Sequence, residues 1–216
     1  MKKKNLAATR GARRPYKPKE RKKRFLLYCE GVETEPSYFV GLRDHLRSQL
    51  IEVEIGDDQG DPKRLVEMAK RRRDTAKRAA AKQEDENLLY DEVWCIFDVD
   101  EHVRLRDAIK QAKDCSIDVA VSNPSFELWV LIHFRDQWAF ITRQEAFSKV
   151  SEEIHGYHKH IDFAILRGRA SKAVQRASTM EQRATENSHQ YDNPTTAVWH
   201  LVRRLCAEAR VDIADL

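Results

Sequence analysis

Short runs in which almost every position is apolar punctuate this chain, and stretches with apolar residues every third or fourth position separate them. RFLLYC (24–29) and the apolar heart of EVWCIFDVD (92–100) have the length and the aromatic and β-branched content of buried strands. IEVEI (51–55) alternates as a half-buried strand does, and IDVAVS (117–122) supplies a fourth. Between the first two, Tyr38, Phe39, Leu42, Leu46 and Leu50 fall at helical spacing, with Thr34 as a cap and Pro36 in the first turn. GDDQGDP is a turn into a basic helix from about Lys63 to Lys82, and a third helix runs from about Leu105 to Ala112. The order β-α-β-α-β-α-β predicts an α/β fold, a mainly parallel sheet with helices on both faces. Active sites in such sheets lie outside the carboxyl ends of the strands.

The pattern changes at Pro124. PSFELWVLIHF is apolar nearly all round, which predicts a buried helix with Asn123 as N-cap and Pro124 as its first residue. Thr142 and Glu145 form a capping box ahead of the next helix. Two further helices are expected over about 169–187 and 196–210, each with one apolar stripe that reads as packing. The expected organisation is a basic arm (1–24) disordered when free, an α/β core (25–123) and a helical region packed on it (124–216).

At 216 residues the chain suits one well-buried core. No apolar run approaches the ~20 residues of a membrane-spanning helix, and the basic N-terminus lacks the apolar centre of a secretory signal, so a cytoplasmic protein is expected. Cys29, Cys95, Cys115 and Cys206 stand singly, without the spacing of a zinc site or a disulfide framework. The net charge of +4 conceals a sharp division. Residues 1–24 carry twelve Lys and Arg against one acid, and residues 63–82 carry nine bases against two, which leaves the remainder acidic. Arg71, Arg72, Arg73, Lys77 and Arg78 on the basic helix are candidates for phosphate contacts that position a nucleic acid without reading its sequence.

Both core strands run out into acids: Glu30, Glu33 and Glu35 after the first, Asp98, Asp100 and Glu101 after the second. In a parallel sheet these ends share one edge, where gathered carboxylates raise one another's pKa unless a cation stays with them. Oxygen ligands without thiolates point to Mg²⁺ or Mn²⁺. A basic side chain between Glu30 and Asp98 would serve the charge instead. Ser122 and Asn123 stand at the end of another strand and at the expected helix start, where backbone N–H groups favour an anion. Glu127 either faces this site as a further ligand or is a buried acid with a local donor. His102 is either a phosphate contact or a loop histidine, and His133 reads as a core histidine. HGYHKH (155–160) has metal-like histidine spacing in an expected loop.

The blocks FLLYCEGVETEPSYF, DEVWCIFDVDEH, VSNPSFELWVLIHF and NPTTAVWHLV, in this order, resemble the RloB-like family. The resemblance implies a Rossmann-like catalytic core of the TOPRIM type and a metal-dependent nuclease of bacterial antiphage defence, encoded alongside an ATPase partner of the ABC/AAA-like type. It implies Glu30 followed by Gly31 as the first catalytic element and Asp98 with Asp100 as the second. A further acid is implied shortly after the first glutamate, at one residue more than the usual spacing, so both Glu35 and Glu33 stay open for it. A catalytically silent nucleic-acid-binding or regulatory subunit is the alternative. DNA or RNA as substrate, and a homo-oligomer or a single copy, are left undecided by these residues.

Overall fold

The computed structural model describes residues 21–48, 50–57, 60–99, 105–186 and 191–216. The expectations for residues 1–20 of the basic arm and for Asp100, Glu101 and His102 lie outside them. Five strands, β1 (Lys23–Cys29), β2 (Ile51–Ile55), β3 (Glu92–Asp98), β4 (Asp118–Asn123) and β5 (Thr195–Thr196), form one sheet in the order β2-β1-β3-β4-β5. The first four are parallel and β5 is antiparallel to β4.

The continuous apolar runs have a direct cause, since the central strands bury both faces. Phe25, Leu27 and Cys29 of β1 and Trp94 and Ile96 of β3 enter one core, while Leu26, Tyr28, Val93, Cys95 and Phe97 enter the other. Helices α2 (Pro62–Gln83) and α3 (Leu105–Asp114) cover the second face. The first is covered by α1 (Thr34–Leu46), α4 (Phe126–Leu131), α5 (Arg143–Glu153), α6 (Ala170–Glu186) and α7 (Val198–Ala209). The Rossmann-like α/β expectation holds. Among the described residues no helix is long and apolar enough to cross a membrane. Cys29, Cys95 and Cys206 are buried free thiols, each pushed up in pKa chiefly by burial.

Three local expectations are corrected. Helix α1 stops at Leu46 rather than near Leu50, because Arg47 turns left-handed (φ 37°) and sends its N–H back to the Arg43 carbonyl. No side chain caps α1, and Thr34 is its first helical residue instead of its cap. Asn123 does not cap a helix either, and Pro124 does not open one: Asn123 is still strand, paired with Thr195, and α4 begins at Phe126 with Ser125 in the N-cap position. Strand β5, only two threonines long, carries no apolar signal by which the sequence could announce that pairing.

Candidate functional site

The parallel register of β1 and β3 sets Cys29 beside Ile96, so both chains leave the sheet at one edge. The Glu30 N–H donates to the Ile96 carbonyl (3.1 Å), and Glu30 Oε2 accepts the Asp98 N–H (3.0 Å), which ties the first acid to the backbone of the second. Asp98 ends β3 with its side chain largely buried. Glu35, in the first turn of α1 and only 4% exposed, accepts the Gly31 N–H through Oε1 (3.1 Å). Gly31 is required by that approach: a Cβ there would lie 2.1 Å from Glu35 Oε2. Glu127 enters from α4, held by the Ser125 hydroxyl (2.6 Å) and the Tyr157 hydroxyl (3.3 Å), while Tyr157 Oη also lies 3.3 Å from Thr34 Oγ1. Gly31, Glu35, Asp98, Glu127, Arg143 and Lys159 are among the residues lining a cavity of about 220 Å³.

Burial pushes the Asp98 carboxyl well above the usual carboxylate range; Glu35, Glu127 and Glu30 push the same way, and Arg143 opposes them. Glu35 is raised as well, first by burial and then by Glu127 and Glu30, against the pull of its own and the Gly31 backbone N–H groups. Arg143 places Nη2 at 3.4 Å from Asp98 Oδ2, from a side chain about half exposed. Asp98 Oδ1 is buried with no hydrogen-bond partner among the described residues. Carboxylates that repel one another around such an oxygen are a donor set suited to a hard divalent cation. Their oxygen chemistry is the kind a hard divalent cation takes, although among the described residues no group of three or more His, Cys, Asp or Glu is arranged to hold a metal.

Of the other candidates, Glu33 is exposed at the cavity rim, in the N-cap position of α1, and it is Glu35 that faces inward. Ser122 is fully buried and pairs with Thr196 Oγ1 (2.8 Å), joining β4 to β5. Asn123 is engaged on both sides, donating to the Tyr191 carbonyl (2.7 Å) and accepting from Asn193 (3.2 Å). The basic helix α2 runs from the acid edge toward the opposite one. Arg73 donates to the Cys115 (2.5 Å) and Ser116 (3.3 Å) carbonyls just ahead of β4, and Arg72 pairs with Glu54 (2.8 Å). Arg71, Lys77 and Arg78 are exposed, but at ~1.5 Å per residue Lys77 lies about 22 Å down the helix from Pro62. His133 is buried against Trp129 and Tyr38, its Nδ1 2.8 Å from the Trp129 carbonyl, apart from the acids. His158 and His160 line a separate groove beside α1.

Arg143, Tyr157 and Lys159 were not singled out by the sequence. Arg143 directly follows the capping-box threonine, a box the structure contains in full, so its place at a helix start was legible. That α5 folds back over the acid edge was not. Tyr157 and Lys159 belong to the HGYHKH segment, whose histidine spacing is its plainest sequence feature; Tyr157 donates to Glu127, and Lys159, with a left-handed backbone (φ 66°), lines the cavity.

A five-stranded, mainly parallel sheet with buried carboxylates gathered where two neighbouring strands end defines a Rossmann-like α/β protein with an acidic edge site. The chain belongs to the RloB-like family: the family model described as RloB-like protein matches residues 25–205. A comparison with curated proteins and one with solved structures each found no match.

Proposed function

We propose that the protein is a divalent-metal-dependent nuclease hydrolysing phosphodiester bonds of nucleic acid. The observation that carries this reading is Asp98 Oδ1, a buried and unpartnered oxygen, among the described residues, within a set of acids that crowd one small space. Asp98 and Glu30 would hold Mg²⁺ or Mn²⁺, with Asp100 a further ligand candidate that follows β3 by two residues and Glu127 beside them. When bound, the ion supplies Lewis-acid stabilisation of charge developing on the phosphate. Arg143 and Lys159, on the cavity wall with the acids, are placed to hold a phosphate against that edge. Glu35, whose raised pKa lets it bind a proton more readily than an ordinary carboxylate, would accept one from the attacking water. The RloB-like resemblance extends the proposal to bacterial antiphage defence with an ABC/AAA-like ATPase partner.

A second reading has the Arg143–Asp98 contact in its favour: a silent nucleic-acid-binding subunit in which the guanidinium takes the place of the metal. Titration calorimetry with Mn²⁺, alongside cleavage assays on DNA and RNA with and without an ATPase partner, separates the two. The nuclease reading expects metal binding and cleavage that both disappear in Asp98→Ala. No heat and no product on any substrate would support the silent subunit.

A further inference from the structure

Two aromatic side chains stand in solvent on the segment that leads into Arg143. Phe140 is 72% exposed and Trp138 is 40% exposed, whereas the other described Phe, Trp and Tyr rings are buried or half-buried. Leaving such surface in water forgoes a large part of the transfer gain that burying an apolar side chain brings.

The backbone that carries the rings is tied down. Gln137, itself buried, donates to the Ala139 carbonyl (2.7 Å) and accepts from Lys149 (2.8 Å). Asn193 clamps Ile141 from both sides, accepting its N–H (2.9 Å) and donating to its carbonyl (2.8 Å). Thr142 then closes the capping box of α5. Asn193 also bonds Asn123 at the carboxyl end of β4, the strand beside β3, which fixes the segment to the edge where Asp98 sits. Phe140 and Arg143 are three residues apart, so their Cα atoms are within about 11 Å. The Arg183 guanidinium lies over the Trp138 ring, 4.6 Å from its centroid, adding positive charge to the aromatic face.

Exposed rings beside cations, next to a site for phosphate, match the way unpaired nucleotides are held: bases stack on aromatic faces while cations track the backbone. A continuous duplex hides its base faces and offers nothing to such rings. We propose that Phe140 and Trp138 form a stacking rim for unpaired bases, so that the preferred substrate is a single-stranded or looped strand whose backbone lies over the acid edge. This rests on the nucleic-acid reading of that edge and goes further in naming the substrate class.

The test is fluorescence anisotropy of the full chain with labelled unpaired DNA, unpaired RNA and a blunt duplex of the same sequence, with EDTA present so that binding is read without turnover. Tighter binding to unpaired strands is expected, weakened roughly 5- to 100-fold by Phe140→Ala or Trp138→Ala and retained in Phe140→Tyr. The DNA and RNA arms show which sugar is preferred. Equal binding of the duplex, no binding at all, or alanine variants that bind unpaired strands like the parent would overturn the proposal. So would alanine variants that lose only self-association in sedimentation, which would make the rim a protein contact. If ring-dependent binding is found and no metal condition yields cleavage, the rim stands and the hydrolytic reading falls; if cleavage is found without ring dependence, the hydrolytic reading stands and the rim falls.

Discussion

Replacing Asp98 by asparagine removes the most strongly opposed charge in the cavity while nearly keeping its shape. In the metal-free protein the carboxylate is buried, repelled by Glu35, Glu127 and Glu30, and leaves Oδ1 without a partner among the described residues. A buried polar group left unsatisfied costs about 1–3 kcal/mol. The amide in its place can donate to the neighbouring carboxylates and relieves the repulsion. Against this stands the contact with Arg143, which at 3.4 Å from a half-exposed side chain is worth at most about 1 kcal/mol. The net expectation in EDTA is a gain of about 1–2 kcal/mol, and at ~2–4 °C per kcal/mol for a chain of this size the thermal midpoint should rise by about 2–8 °C. Mn²⁺ should reverse the order. A ligand at a hundred times its Kd adds about 2.7 kcal/mol to the wild type, and Asp98→Asn should gain less.

The pH dependence has a defined sign. Asp98 and Glu35 are raised in the folded state, so the native protein binds more protons than the unfolded chain between the ordinary carboxylate value and their raised ones. Stability in EDTA should therefore fall as pH rises through that window, and Asp98→Asn should flatten the fall. Thermal unfolding with EDTA and with Mn²⁺, across pH, is the assay. An Asp98→Asn protein less stable than wild type in EDTA, with Mn²⁺ raising both midpoints equally, would show that neither repulsion nor metal binding centres on this carboxylate.

Other substitutions separate the roles of neighbouring elements. Gly31→Ala should displace the end of the Glu35 side chain with a stability change within about 1 kcal/mol, yet reduce metal-dependent cleavage roughly tenfold or more; kinetics paired with urea unfolding would reveal it. Arg73→Ala should cost about 1–3 kcal/mol, because it strips donors from the Cys115 and Ser116 carbonyls, without changing nucleic-acid affinity at fixed salt. A salt titration of binding with Lys77→Ala/Arg78→Ala should likewise give an unchanged slope. His133, lowered by burial to about 4 from an unfolded value of 6.5, must charge on unfolding, so its contribution is complete above pH 6.5 and is lost as pH falls toward 4. His133→Met should remove that portion of the acid sensitivity, as read by unfolding between these two pH values.

What the sequence made legible follows from how each feature is encoded. β1 and β3 bury both faces, so they appear as unbroken apolar runs, and their parallel pairing brings Glu30 to Asp98 without any contact visible along the chain. The capping box of α5 is local chemistry and could be read directly. Strand β5 could not, since two threonines carry no periodicity, and without that pairing strand Asn123 reads as a helix cap. Arg143 and Lys159 line the cavity, and Tyr157 bonds Glu127, only because segments beyond residue 124 fold back across the edge, a tertiary fact with no local mark. The basic helix illustrates the converse. Its charge was plain, but only the direction of α2 across the sheet shows that Arg73 supports carbonyls at the far edge.

Whether a divalent ion sits among the acids can be seen in crystals soaked in Mn²⁺ and measured for anomalous scattering. The expected result is a manganese peak bonded to Asp98 Oδ1 and to Glu30, with the Arg143 guanidinium moved off Asp98. Crystals without a peak at that edge, and with Arg143 still seated against Asp98, would contradict the metal-dependent reading.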